Sequence, residues 1–395
     1  MPNTILTPTA VTREALRVLH QKLTFIGNIN RQYDDSYAKK GAKIGSDLKV
    51  RLPNQYVVRS GANLSTQDTT EQSVTLQVAT QKGVDLTFSS AELTLSLDDF
   101  SKRILEPAMA VLAAAMEADA YSMALDVYQA VNGIGSAITW KNVLLARKAL
   151  NDALAPIDND RSVILNTQDN ADLVDTLKGL FQDSSQISKQ YREGMMGRTA
   201  GADFYESTII PSHTTGTALS ATTYTVNGAG QTGSGVIVAT GATTFKKGDV
   251  VTFAGCNRVH PETKADTGVL QQFVVTADYA GGAGTLQIAP AIVTSGGTQN
   301  VSASPTNGGA VTKVGAASAI YKPSLMFHKD AFTFATADLV MPQGVDFAAR
   351  EVYDGISMRI VRQYAISTDT FPCRLDVLYG YKTLRAQLAA RILSN

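Results

Sequence analysis

Residues 245–292 read FKKGDVVTFAGCNRVHPETKADTGVLQQFVVTADYAGGAGTLQIAPAI. Three apolar runs, GDVVTFAG, LQQFVVTA and GTLQIAP, are set apart by segments rich in Gly, Asp, Asn and Pro. Short β-branched and aromatic runs bounded by turn residues are strands. The pattern continues upstream in TTYTV and GVIVAT. The wider window 213–320 holds 17 of the 31 glycines, against 14 in the other 287 residues, and only nine charged side chains. Short strands with glycine turns at this spacing predict a small antiparallel barrel or sandwich. The flanks are richer in charge and poorer in glycine. The window therefore reads as an all-β domain inserted into a second domain, which an exposed loop tolerates when the inserted ends lie close together.

The whole chain has 395 residues, which at ~100–200 residues per domain implies two or three domains. Lys+Arg and Asp+Glu are both 35, so the formal charge is zero, with 18% charged and 44% apolar residues. That composition is too apolar for a disordered chain. It lacks the basic excess of a dedicated nucleic-acid binder. Two cysteines are too few for a disulfide scaffold. A neutral surface promotes association, so the chain reads as one made to associate. Cys256 and Cys373 form no CxxC pair and read as buried reduced thiols of a cytosolic product. The opening residues lack a signal-peptide pattern. The weakly polar stretch from Pro107 to Ala115, interrupted by Glu117 and Asp119, is too short to span a bilayer.

Working outward, residues 1–30 read as an arm. Thr12 is expected to cap a helix from Arg13 to Lys22 with Ala15, Leu16, Leu19 and Leu23 on one face. Residues 1–60 carry ten Lys/Arg against four Asp/Glu, so the neutral total hides a basic front end. Residues 47–88 read as two long strands, DLKVRLPNQYVVRS and EQSVTLQVATQKGVDLTF, around a polar tip from Gly61 to Thr70. At ~3.3 Å per residue each strand reaches roughly 40 Å. Such a hairpin is marginal alone; it lies either on a neighbouring subunit or in the protein's own sheet.

Residues 96–131 predict the longest helix, with Ser96 and Asp99 as a capping box. Leu105, Met109, Leu112, Met116, Ala120, Met123 and Val127 form one apolar stripe. Pro107 either kinks this helix or marks the start of its long part. Further on, 139–154 is an amphipathic helix capped by Thr139, 161–167 a buried strand and 167–181 a helix. Residues 321–340 and 356–385 are strand-rich. The base architecture is mixed α+β.

The chain offers little that reads as chemistry. His20, His213, His260 and His328 make no HExxH or HxH spacing. No GxxxxGK[ST], strand–GxGxxG–helix or GxSxG is present. Gly228, Gly230, Gly233 and Gly235 sit among β-turns without the lysine or helix of a phosphate cradle. Asp34–Asp35 and Asp98–Asp99 are neighbours that point to different faces of a helix. No catalytic, metal or cofactor site is expected.

The order of elements resembles the major capsid (coat) protein of tailed bacteriophages, within the short-tailed temperate branch whose coat protein carries an inserted β-barrel. The stretch 245–292 is similar to the core of that insertion. PCRLDVLYGYKTLRAQLAARIL, 372–393, is similar to the closing strand and tail. The resemblance implies an α+β tailed-phage capsid fold, shared with encapsulin shells and the herpesvirus capsid floor. It implies an N-terminal arm over 1–44, an extended loop over 45–86, and a peripheral domain over 87–138 with a spine helix near 97–131. It further implies an axial domain over 139–212 and 321–345, the inserted barrel over 213–320, and peripheral strands with the tail over 346–395.

The implied job is to form pentamers and hexamers of an icosahedral shell around double-stranded DNA. The implied partners are further copies of the chain, a scaffolding protein and a portal protein, with DNA touched only non-specifically and no membrane. The shell would assemble in the host cytoplasm as a precursor, expand on packaging and reside in the virion. Arg59, Gln67, Asp68 and Glu71 are the expected loop contacts to a neighbour. Arg13 and Arg17 are the expected arm contacts to scaffold or neighbour. Lys43, Lys49 and Lys82 flank the loop but not its tip, so covalent cross-linking is not expected. The alternatives are a β-rich carbohydrate-binding or adhesin protein, an encapsulin-like compartment shell, and a hydrolase of the α+β type.

Overall fold

The computed structural model describes residues 8–34, 47–59, 61–63, 66, 72–89, 106–177, 197–219, 224–239, 241–353, 355–368 and 370–394. They form two compact units. One comprises Met1–Val50, Ser73–Tyr121 and Phe332–Leu384; the other comprises Arg51–Gln72, Ser122–Ala331 and Arg385–Asn395.

The first unit is built on the long strand Thr370–Thr383. It pairs antiparallel with Thr80–Ser89, Ile356–Arg362 and Phe332–Ala337. Phe347–Tyr353 extends one side, and Asn30–Asp34 runs parallel to Phe332–Ala337 on the other. The helices Pro8–Lys22 and Glu106–Tyr121 pack against each other and onto this sheet. Ala15, Leu16 and Leu19 of the first, and Met109, Leu112, Met116 and Ala120 of the second, are buried. Each large apolar side chain withdrawn from water this way contributes ~1.5–3 kcal/mol. Phe25 meets Tyr121 and Phe332 edge-on, with centroids 5.1 and 5.5 Å apart.

Three expectations change here. The arm helix begins at Pro8, and Thr12 is buried within it rather than capping it; proline suits a first turn because its missing N–H has no helical partner there. The described part of the long helix begins at Glu106–Pro107, and the chain tightens into a 3-10 turn over Ser122–Asp126. Met123 and Val127 are buried outside the α-helix. Ser96, Asp98, Asp99 and Leu105 lie outside the described residues. By length and composition 106–126 could cross a membrane, but here its apolar stripe is consumed by packing. Finally, the long hairpin is not one ladder. Asp47–Arg51 pairs with Ser73–Gln77, and the outgoing strand stops before Pro53, which has no N–H to give. The returning run divides, and Thr80–Ser89 leaves to pair over ten residues with Thr370–Tyr379.

The second unit holds two six-stranded sheets. One runs in the order Ala130–Asn132, Ala389–Leu393, Ser324–His328, Arg161–Leu165, Ala202–Glu206, Arg198–Thr199. Its three central strands are buried along their full length. The helix Trp140–Asp152 packs on it. Thr139 is the N-cap residue, but its hydroxyl pairs with Asn142 Oδ1 (2.9 Å) rather than a backbone N–H.

The other sheet runs in the order Tyr224–Thr225, Ala310–Lys313, Val250–Val259, Asp266–Val275, Gly284–Ile292, Gly233–Val238. It closes on itself through a bridge between Val226 and Val238, flanked by Asn227 N–H to Ile237 O (2.9 Å) and Ala239 N–H to Thr225 O (2.8 Å). The closed barrel is filled by Tyr224, Phe245, Phe253, Phe273, Leu286 and Ile288. Closure leaves few unpaired strand edges. At its base His213–Thr214 pairs with Ile320–Tyr321, so the two ends of the barrel segment lie side by side. Gln272 hydrogen-bonds both the N–H and the C=O of Ala130 (2.8 and 2.9 Å). Arg258 reaches Asp152 (2.8 Å), and the fully buried Arg391 donates to Gly248 O (2.9 Å). These bonds tie the barrel to the first-described sheet of this unit.

Candidate assembly surfaces

Arg13 and Arg17 project from the exposed side of the arm helix. Arg17 makes a two-point pair with Glu14, at 2.6 and 3.0 Å, and Arg13 lies 3.8 Å from Glu351. Exposed pairs of this kind are worth ~0–1 kcal/mol, so both cations can exchange partners cheaply. Arg59 is exposed and folds back to donate to the carbonyls of Gly61 and Asn63. Gln67, Asp68 and Glu71 lie outside the described residues, as do Lys43 and Asp35. Lys82 is paired with Asp119 at 2.7 Å, and Lys49 is exposed.

Sequence reasoning singled out polar loop residues and passed over apolar ones. Residues 53–59 run outside any strand, and Tyr56 and Val58 are 56% and 88% exposed. Adjacent apolar residues in an extended run cannot all face inward, because side chains alternate sides; YVV at 56–58 carries that signal. Val340 and Ile366 are also strongly exposed, in the other unit. Scattered exposed apolar residues are ordinary, but contiguous ones mark contact surfaces.

The arm is fastened by a residue that no motif announces. Glu117, on the long helix, is buried, and its carboxylate accepts the N–H groups of Phe25 (2.9 Å) and Ile26 (3.0 Å) at the turn that ends the arm. Burial pushes its acid up from 4.5 to about 7, against the opposing pull of the Ile26, Phe25 and Thr24 amides. The folded chain therefore keeps a proton that the unfolded chain loses near 4.5. The stabilisation is complete below that pH and is lost as pH rises towards 7, at up to ~1.4 kcal/mol per pH unit. Urea midpoints of the parent should fall across this window, and those of Glu117→Gln should fall less. Parallel pH profiles would contradict this.

Other polar clusters are structural in geometry. Asp158, Asp160 and His328 bring ligand-type atoms within 4.8 Å of one another. Asp330 N–H donates to His328 Nδ1 (3.2 Å), which leaves Nε2 to carry the proton and donate to Asp158 (3.1 Å). Both ring nitrogens are thus engaged. His213 Nε2 meets Asp249 Oδ1 at 3.2 Å, and Asp249 also accepts the N–H groups of Gly216 and Lys246 (2.9 Å each). Cys256 and Cys373 are buried free thiols, pushed up to about 12 by burial. A cavity of about 370 Å³ is lined by Gln55, Gln129, Asp152, Arg258, Lys264 and Asn300 among others. Its Arg258 is already paired with Asp152.

Weakly paired cations on the arm helix and the exposed run Tyr56–Val58 are surface features that an associating subunit can use. The family described as "P22 coat protein - gene protein 5" matches residues 21–391, and the chain belongs to that family. It is a structural subunit that self-assembles into an icosahedral bacteriophage capsid and resides in the virion. Its mixed helix-and-sheet architecture with a closed barrel is of the α+β class expected from the sequence. The adhesin and encapsulin-like alternatives gain no support. Among solved structures the chain is similar to one from Mycobacterium phage Che8, with 13% identity over 94% of this chain and 91% of that one and a TM-score of 0.47. It is similar to a chain of the bacteriophage PhiM1 mature capsid, with 10% identity over 94% and 87% and a TM-score of 0.42. It is also similar to a virus-like particle from Pyrococcus furiosus, with 8% identity over 97% of each chain and a TM-score of 0.38. No curated protein matches the chain.

Proposed function

We propose that the chain forms hexamers and pentamers of a precursor shell with a separate scaffolding protein and a portal, and that this shell expands as double-stranded DNA is packaged. Its role is structural and not enzymatic, and its contact with DNA is non-specific. The proposed parts are an arm over 1–44, an extended loop over 45–86, an inserted barrel over 213–320, and axial and peripheral domains from the remainder. The reading rests most directly on the segment 53–59, which displays Tyr56 and Val58 outside any strand. A neighbouring copy is the surface that covers them, with Arg59, Gln67, Asp68 and Glu71 supplying the polar contacts nearby. Many weak contacts of this kind add by avidity when the shell closes.

Arg13 and Arg17 serve the scaffold or a neighbour through charge. The double reversal Arg13→Glu, Arg17→Glu replaces the Glu14–Arg17 pair by like charges and costs the helix ~0.4–1 kcal/mol, the lost attraction and the new repulsion together. It should lower the yield of shells sedimenting from a co-assembly mixture several-fold at low salt. The gap to the parent should narrow at high salt, as the Debye length falls from ~10 Å at 0.1 M to ~3 Å at 1 M. Normal yields at all salt concentrations would refute the role.

A further inference from the structure

The chain contains three Asn–Gly steps, Asn132–Gly133, Asn227–Gly228 and Asn307–Gly308. This dipeptide is chemically labile. The glycine nitrogen loses its proton and attacks Cγ of the preceding asparagine, a C–N bond forms, and ammonia leaves. Water then opens the resulting succinimide, giving aspartate or isoaspartate. The net change is amide plus water to carboxylic acid plus ammonia, with no redox step. Glycine favours it because no Cβ obstructs the ring closure.

In this fold each of the three attacking nitrogens has its hydrogen engaged. Gly133 N–H donates to Leu393 O (2.7 Å) and Gly308 N–H to Val226 O (2.8 Å). Gly228 N–H donates to the side-chain oxygen of Asn307 (2.8 Å). The first two rest on backbone carbonyls; the third rests on one exposed side chain. Asn227 is itself exposed. The same two turns are knitted by Val226 N–H to Gly309 O (2.8 Å), close to the Val226–Val238 bridge that closes the barrel. Isoaspartate at 227 would lengthen the backbone by one carbon beside that bridge. It would also add a negative charge to a window with nine charged side chains.

We propose that Asn307 is a guard residue that keeps Asn227 from deamidating, and that Asn227 is the chain's first site of chemical ageing when that hydrogen bond opens. A virion cannot replace its subunits, so shell lifetime depends on such sites.

The test uses the purified full-length chain held in mildly alkaline buffer, with peptide mass spectrometry reading amide-to-acid conversion at each step. The folded parent should keep all three asparagines while the urea-unfolded chain converts all three. Asn307→Ala should speed conversion at Asn227 by about fivefold, the factor corresponding to one ordinary hydrogen bond. Asn307→Asp, which retains an acceptor, should return it to the parent rate, and Asn132 should be unaffected in both variants. The proposal fails if Asn307→Ala converts Asn227 no faster than the parent, or if Asn307→Asp converts it as fast as Asn307→Ala. Should Asn307→Ala not fold, the parent alone decides: conversion at Asn227 as fast in the folded as in the unfolded chain refutes the guard.

Discussion

Val58→Asp is expected to abolish shell assembly while the subunit still folds. Val58 is 88% exposed and stands outside any strand, so a carboxylate there meets water in the isolated chain and changes its stability by ~0.5 kcal/mol or less. In the proposed shell the same position is covered by a neighbouring copy. The parent then gains the burial of a valine, ~1.5–3 kcal/mol, while the variant must desolvate a charge at a cost of several kcal/mol. That difference recurs at every subunit, and closure multiplies it across the particle. Tyr56→Asp should act in the same direction. Circular dichroism should show a parent-like melt, and electron microscopy should show no shells. Intact shells from Val58→Asp would remove 53–59 from the contact.

Gly380→Ala has the largest expected effect on folding. Gly380 sits on the long strand Thr370–Thr383 opposite Ala335. A Cβ there would collide with Gln77 O and come within 2.9 Å of the Gln77 carbonyl carbon and 3.0 Å of Val78 Cα. All three are backbone atoms, which cannot rotate aside. The strand would have to move away from Leu76 and Val78, whose side chains form a cluster with Ala335, Ala337, Leu339 and Leu378. Losses above ~4 kcal/mol arise from overpacking of this kind. Soluble yield should collapse, or the urea midpoint should drop steeply. Gly27→Ala is the matched control, because its Cβ meets nothing within 4 Å; it should be neutral or raise stability by ~0.4–1 kcal/mol. A parent-like midpoint for Gly380→Ala would show that the two strands are not in contact.

The barrel was the most legible part of the sequence, because each strand carries its own signal. The runs at 224–225, 233–238, 250–259, 266–275 and 284–292 are where alternation and glycine turns place them. Ala310–Lys313 and the closing bridge were not legible, since a four-residue strand and one long-range pair have no local pattern. The described part of the long helix opens at Glu106–Pro107, where the sequence places its proline. The helix's end was not legible, because the apolar stripe continues through Met123 and Val127 after the helix has tightened. The 47–88 segment misled for a related reason. Its return run has the composition of one strand, and only the long partner strand 370–383 divides it.

The proposed assembly residues were the least legible. Arg13 and Arg17 followed from charge excess, but Tyr56 and Val58 read as strand interior until the chain was seen to leave the sheet at Pro53. Glu117 is one of three acids on an apolar helix, with Glu106 and Asp119, and its role depends on a turn 91 residues away in sequence. A charged residue interrupting a buried stripe was the available clue.

Electron microscopy of particles formed by the full-length chain tests the central claim most directly. Closed, homogeneous icosahedral shells tens of nanometres across, with subunits in rings of five and six, are expected. A chain that stays monomeric under all conditions, even when co-produced with a scaffolding protein, would contradict it.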